Sequence, residues 1–330
     1  MKLDVEREYD ISAGIKVIDL SGPPHVTGSI CIVNLEQNEF RVFPFFDLIN
    51  KSLIPGHGCF TEISVNLGAS VRDFVEGHRH ECEGLPGCPD YIPPYQDFYR
   101  KCVVACNALQ TNFIRSNGFV VVNGKVIAKP PYAPGRDDPE YVERGPAGDY
   151  TCLIVDGAEA QVITLHLNHS GMTIPNITPE SYGIASPHLV SNGQFLGLTR
   201  QPPPFRMGQT RHLMGDWVDW DPDTTRTSFT AFGVDNAGRL LMASVFEGEW
   251  GVHTAINQGI LAREMADLLC RNGASEAILG GGGADTQQFI HGRYPRFRNG
   301  PVRSKPLAAL RGEVVGIRGL GAIAAILPRQ

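Results

Sequence analysis

Short apolar runs punctuated by Gly, Pro and Asn set the pattern of the first hundred positions: IKVIDL (15–20), SICIVNL (29–35), FRVFPFF (40–46) and FTEISVNL (60–67). Runs of this length bounded by turn formers predict short strands. CVVACNAL (102–109) continues the series, and FVVVNGKVIA (119–128) holds two β-rich runs around Asn123-Gly124. That dipeptide suits a two-residue hairpin, because both central positions take a positive φ. TCLIVDGAEAQVITLHL (151–167) predicts a hairpin around Asp156-Gly157, and FTAFGVDNAGRLLMASVF (229–246) a further strand pair. Stretches 76–97, 129–149 and 199–223 are rich in Pro, Gly or charge and read as loops.

Only GILAREMADLLCRNG (259–273) has a helical period. Leu261, Met265, Leu268 and Leu269 fall on one face, and Gly273 stands where a C-terminal cap belongs. AILGGGG (277–283) then resumes as strand. Strands and helices do not alternate, which argues against a doubly wound sheet. The pattern predicts an α+β fold of antiparallel-rich mixed sheets with a few packed helices. We expect a β-rich N-terminal region over residues 1–100 packed on a main domain over 101–330.

Composition narrows the partners more than the fold. The chain has 330 residues, 42% of them hydrophobic, and a formal net charge of −6. That is ample for a large core. The acidic balance argues against nucleic acid or an anionic membrane as partner, since both need a basic face. No apolar run reaches the ~18 residues of a membrane-spanning helix. The first residues, MKLDVEREYD, are charged and lack the apolar stretch of a signal peptide. This favours a cytoplasmic protein, with secretion left open if a leader was removed. The pattern leaves the oligomeric state undetermined.

Six of the eight cysteines, Cys59, Cys82, Cys88, Cys102, Cys106 and Cys152, crowd one third of the chain. In a secreted protein such crowding suggests disulfides, and in a reducing compartment buried thiols or a metal. His78, His80, Cys82 and Cys88 are of zinc-ligand type, but their spacing matches no zinc module, so a Cys82–Cys88 disulfide or plain thiols stand beside zinc. Asp219, Asp221 and Asp223 alternate as in a calcium loop. Thr224 and Thr230 at the sixth and twelfth positions exclude an EF-hand, though not a looser calcium site. No cofactor is therefore assigned.

The sharpest question lies in SEAILGGGGADTQQF (275–289). A phosphate-binding P-loop needs Lys-Ser or Lys-Thr after its glycines, and none follows. A dinucleotide fingerprint needs strand, glycine turn, then helix, whereas QQFIHGRYPRF (287–297) reads as strand or loop. Taken alone, the glycines either bring backbone close to something, leaving N–H groups that suit an anion, or make a turn with positive φ.

The order of segments around these glycines resembles the phosphodiester glycosidase family. Arg226-Thr227 is followed by FGVDNAGRLL (232–241), by Arg263-Glu264-Met265-Ala266 on the helix, by Gly273-Ala274, and by Leu279 with the glycines. Upstream, SPHLVSNGQF (186–195), CNALQTNF (106–113) and VVVNGKV (120–126) are similar to further family segments. The family's Leu-Asp-Gly-Gly-Gly-Ser-Ser-Thr becomes Leu279-Gly280-Gly281-Gly282-Gly283-Ala284-Asp285-Thr286 here. The family Asp has become Gly280, and a carboxylate returns only at Asp285.

The resemblance implies a hydrolase that cleaves a sugar–phosphate bond, with a small-molecule or sugar-phosphate substrate. Such a reaction has an oxocarbenium-like transition state and needs a group for the phosphate charge and a base for water. Asp285, Arg226 and Thr286 are the candidate catalytic residues. Gly281, Gly282, Gly283, Asn107, Asn112 and Arg303 are candidate binding residues, Arg303 within a stretch (291–311) that has five Arg, one Lys and no acid. Trp217 and Trp220, interleaved with carboxylates, suit a sugar ring. The altered motif equally implies a biosynthetic enzyme with changed chemistry (cyclase, lyase or transferase) or a ligand-binding homologue.

Overall fold

The computed structural model describes residues 2–23, 26–44, 71–76, 101–108, 119–128, 148–167, 177–198, 209–211, 217–219, 223–224, 226–246, 259–282, 286–291 and 322–329. The chain opens with β1 (Asp4–Ser12), β2 (Ile15–Gly22), β3 (Val26–Val33), β4 (Asn38–Pro44) and helix α1 (Val71–Glu76). There follow β5 (Val104–Asn107), β6 (Phe119–Val122), β7 (Lys125–Ala128), β8 (Gly148–Asp156), β9 (Glu159–Leu167), β10 (Tyr182–Ala185), β11 (His188–Ser191) and β12 (Gln194–Phe195). β13 (Gln209–Arg211), β14 (Trp217–Asp219), β15 (Phe229–Asp235) and β16 (Leu240–Phe246) precede helix α2 (Ala262–Arg271). β17 (Ala274–Gly282), β18 (Gln288–Ile290) and β19 (Ala322–Pro328) complete the order.

Among the described strands, one large sheet runs β1-β2-β3-β16-β15-β17-β11-β12 and a second runs β7-β6-β10-β8-β9. A third runs β18-β5-β19-β4, and β13 pairs with β14. The named strand pairings are antiparallel throughout. The fold is strand-rich, with two helices among the described residues. β1–β3 hydrogen-bond into the large sheet through β16, and β4 pairs with β19, so the chain before residue 100 shares sheets with the chain after it.

Alternation along each strand places the core. On one face of the large sheet, Phe229, Ala231, Ala243, Leu241 and Leu279 meet Met265, Ala266, Leu268 and Leu269 of α2. On the other face, Val17, Cys31, Met242, Phe232 and Ile278 pack against residues of the two smaller sheets, among them Val42, Val104, Cys106, Leu153, Ile184 and Ala324. The outer face of the β18-β5-β19-β4 sheet is closed by Val71 and Phe74 of α1 against Phe43, Phe289 and Ala325. The layers are thus helix, large sheet, two sheets side by side, and helix on one of them.

Several turns carry the expected chemistry. The β6–β7 hairpin turns on Asn123 and Gly124, with φ of 51° and 69°. The β8–β9 hairpin closes on the Asp156–Glu159 pair, so its turn is Gly157-Ala158, one residue later than the Asp-Gly dipeptide suggests. At the end of α2, Gly273 has φ 99° and its N–H donates to the Cys270 carbonyl at 3.0 Å, the left-handed stop expected there. At its start, the backbone N–H of Leu261 donates to Glu264 Oε2 at 2.9 Å, satisfying one of the free helix donors. β1 is unmarked by the apolar pattern because it is an edge strand whose side chains are mainly solvated.

Leu269 is fully buried under α2. Leu269→Ala is expected to lower unfolding stability by about 2–5 kcal/mol, read by urea denaturation. A loss under about 1 kcal/mol would contradict this packing.

Candidate functional site

The glycine run is neither a phosphate loop nor a bare turn: it is the end of β17, pressed against β15. In the register of these strands, Thr230 pairs with Gly281 and Ala231 with Leu279, which leaves Gly280 as the extra residue of a β-bulge. A Cβ on Gly280 would collide with the Phe232 ring, lying 3.0 Å from its Cδ2, and would sit 3.2 Å from Thr230 Cγ2. Gly281 takes φ 142°, a conformation side chains disfavour. At Gly282 a Cβ would lie 3.1 Å from the Ser228 carbonyl oxygen.

At this bulge Asn107 of β5 takes up the Gly280 carbonyl. Asn107 Nδ2 donates to Gly280 O at 3.2 Å. Asn107 Oδ1 accepts from the Thr230 hydroxyl at 2.6 Å and from the Gln287 N–H at 3.1 Å. The Asn107 N–H in turn donates to the Gln287 carbonyl at 3.3 Å. Asn107 therefore ties the large sheet to the β18-β5-β19-β4 sheet where the chain crosses from β17 to β18. Since Thr230 spends its proton on Asn107, the Ser244 hydroxyl at 3.2 Å is the donor toward Thr230.

Thr230 begins a polar row across the inner face of the large sheet. Thr230 opposes Ser244, Ser244 opposes Ser29, and Ser29 opposes Asp19. All four are buried. Ser29 Oγ donates to Asp19 Oδ1 at 3.4 Å, and Arg7 Nε closes the row on Asp19 Oδ2 at 2.9 Å. These residues share a face with Val17, Cys31, Met242 and Phe232, because every second residue of a strand points the same way. The interior is apolar along one stretch of these strands and polar along the next. The row is a feature that motif reading misses. Its signal is a polar residue within each apolar run: Asp19 in KVIDL, Thr230 in FTAFGVD, Ser244 in LLMASVF.

Beyond the crossing, Thr286 is 1% exposed and Gln288 2% exposed. Among the described residues, neither the Thr286 hydroxyl nor either amide atom of Gln288 has a hydrogen-bond partner. Leaving such a group unpaired costs about 1–3 kcal/mol. Gln287 between them turns the other way, and its Oε1 accepts from the Val71 N–H of α1 at 2.8 Å.

Of the residues singled out from the sequence, Asn107, Gly281, Gly282 and Thr286 come together here. Gly283, Asp285, Asn112, Arg303, Trp220, His78, His80, Cys82 and Cys88 lie outside the described residues. So does the side chain of Trp217, whose backbone is in β14. Arg226 stands at the other face, beside the first turn of α2. Its Nη1 and Nη2 grip Glu264 Oε2 and Oε1 at 2.7 and 3.0 Å, and Nη1 also reaches the Gly259 carbonyl at 3.3 Å. The same helix end borders an open cleft of about 510 Å³ lined by Phe195, Leu196, Asp223, Thr224 and Arg263, with the Arg263 guanidinium 5.5 Å from the Phe195 ring centre. Asp223 Oδ1 there accepts from the Leu198 N–H at 2.7 Å.

Of the described cysteines, Cys102, Cys106, Cys152 and Cys270 are free thiols. Burial pushes Cys102, Cys106 and Cys152 well above the usual thiol range, which keeps them protonated and unreactive. Among the described residues no group of His, Cys, Asp and Glu is arranged to hold a metal ion, and no helix is long and apolar enough to cross a membrane.

No family model matches the chain, and no curated protein matches it. Among solved structures it is similar to the catalytic domain of zebrafish N-acetylglucosamine-1-phosphodiester alpha-N-acetylglucosaminidase auto-inhibited by its pro-peptide. That likeness has 15% identity and a TM-score of 0.48 over 99% of this chain and 88% of the other. A hypothetical protein from Synechocystis is similar at 11% identity and TM-score 0.46, over 100% of this chain and 64% of that one.

Asn107→Leu strands the Gly280 carbonyl and the Gln287 N–H together and leaves the Thr230 hydroxyl with Ser244 alone. It is expected to cost about 3 kcal/mol or more in denaturant unfolding, and a loss below about 1 kcal/mol would refute the clamp. Gly280→Ala should destabilise through the Phe232 ring, and Phe232→Leu should recover part of that loss. A double-mutant cycle tests this, with a coupling of at least about 0.5 kcal/mol expected and strict additivity contradicting the contact.

Proposed function

We propose that the chain is a hydrolase cleaving a sugar–phosphate bond of a phosphodiester glycoside, with the substrate bound where β17 gives way to β18. One observation carries this reading. Asn107 and Gly280, 173 positions apart and in separate segments that resemble the glycosidase family, are hydrogen-bonded within one buried cluster. Segments so distant in sequence have no local reason to share a polar knot, whereas a site assembled from them does.

In this reading Asp285 activates water, and the Thr286 hydroxyl with backbone N–H groups of Gly281–Gly283 receives charge from the leaving phosphate. A phosphate leaves readily, so fixed N–H and O–H donors stabilise it without a strong acid. Arg226, paired with Glu264, orders the start of α2, and Arg303 is the cation we assign to the phosphate.

A second reading, an enzyme on this scaffold with changed chemistry, has its own support. The family motif carries Asp at the position of Gly280, and the Phe232 ring occupies the space that its Cβ needs. A carboxylate at 280 is therefore sterically excluded unless Phe232 moves, and the catalytic charge must come from elsewhere.

Incubation of the purified protein with a panel of sugar-1-phosphate diesters, with released sugar assayed, tests the hydrolase. Release is expected, with kcat reduced about 100-fold or more in Asp285→Asn. Binding of a diester without release would favour changed chemistry. Release undiminished in Asp285→Asn would remove Asp285 from the mechanism.

A further inference from the structure

We infer that Gln288, together with Thr286, is the subsite that recognises the sugar ring through a pair of neighbouring hydroxyls. The inference builds on the sugar-phosphate reading and names which side chain selects the sugar. It starts from three buried polar atoms, Thr286 Oγ1, Gln288 Nε2 and Gln288 Oε1, that have no hydrogen-bond partner among the described residues. In a buried strand such atoms are normally paired, and exceptions mark places where something else binds.

Their direction follows from register. Gln288 pairs with Cys106 and Ile290 with Val104 across β18 and β5, and Cys106, Val104 and Ile290 all belong to the core between the sheets. Phe289 points instead into the core under α1, and Gln287 bonds Val71 of that helix. Gln288 thus presents its carboxamide to the inter-sheet interior. Among the described strands β18 is the edge of its sheet.

The chemistry of the orphaned atoms chooses the ligand. A carboxamide offers a donor and an acceptor side by side, and a hydroxyl serves as either. A phosphate or carboxylate accepts only and would leave Oε1 unmet, while a metal cation would leave Nε2 unmet. Two adjacent hydroxyls of a pyranose meet both, one donating to Oε1 and the other accepting from Nε2. Cys106, in register with Gln288, and Ile290, two residues along β18, carry no charge and so supply no partner for an ionic ligand.

The subsite is held in advance. The Gln287 N–H and carbonyl are both bonded to Asn107, at 3.1 and 3.3 Å, and its side chain is bonded to α1 at 2.8 Å. Residues on either side of so constrained a backbone lose little further freedom on binding.

Calorimetric titration of the full chain with free glucose, N-acetylglucosamine and mannose, and with deoxy analogues lacking one hydroxyl of the pair, tests this without any turnover. One of the sugars is expected to bind, with affinity lowered tenfold or more in Gln288→Leu and by the matching deoxy analogue. The melting temperature of Gln288→Leu should not fall, because an apolar group replaces unpaired polar atoms. If Gln288→Leu fails to fold, Gln288→Glu, which keeps an acceptor and loses the donor, is expected to bind at least tenfold more weakly. Equal affinity of the wild type and the folded variant, or no sugar bound by the wild type, overturns the subsite. Sugar binding that depends on Gln288 without diester hydrolysis would uphold the subsite while the hydrolase reading fails.

Discussion

The architecture depends on one hydrogen-bonded knot, the Asn107 carboxamide between two sheets. Sheets that face each other across an apolar core slide easily, since dispersion contacts have little direction. Asn107 adds direction. Its amide grips the bulge of one sheet and its carbonyl holds Gln287, the residue just before β18 of the other. With Thr230 donating to the same oxygen at 2.6 Å, the acceptor is shared by both sheets. The knot is fully buried, so its bonds are not weakened by competing water.

The glycines follow from that constraint. The bulge at Gly280 lies where its carbonyl reaches Asn107, whose oxygen also accepts from the Gln287 N–H beyond the crossing. At the bulge the backbone also lies against Phe232, which leaves no room for a side chain at 280 unless the ring moves.

The two faces of the large sheet divide the work. One is covered by α2, whose start is ordered by the bidentate Arg226–Glu264 pair at 2.7 and 3.0 Å. The other carries the row from Asp19 through Ser29 and Ser244 to Thr230, a line of polar groups that an apolar core would not tolerate without partners. Placing this row beside the crossing keeps polar interior where polar atoms of Thr286 and Gln288 also stand.

Period and turn chemistry along the chain were enough to identify the strands of β2, β3, β15, β16 and β17, the helix α2 with its glycine stop, and the Asn123-Gly124 turn. These are local properties: a two-residue period, a helical stripe, a backbone that needs positive φ. The candidacy of Asn107 and of the glycine run was legible too, through the order of segments. What the run does was not, because a bulge is defined by a register that only the partner strand sets. The edge strand β1 escaped for a related reason: its exposed residues bury little and so carry no apolar signature. Arg226 could be read as a phosphate ligand or an anchor, and its pairing with Glu264 depends on a helix returning beside it. Asp19, Ser29, Ser244 and Thr230 look like unrelated polar residues in four runs. They become a row only when the strands lie in register, since side chains from distant segments meet by pairing and packing, and sequence spacing alone encodes neither.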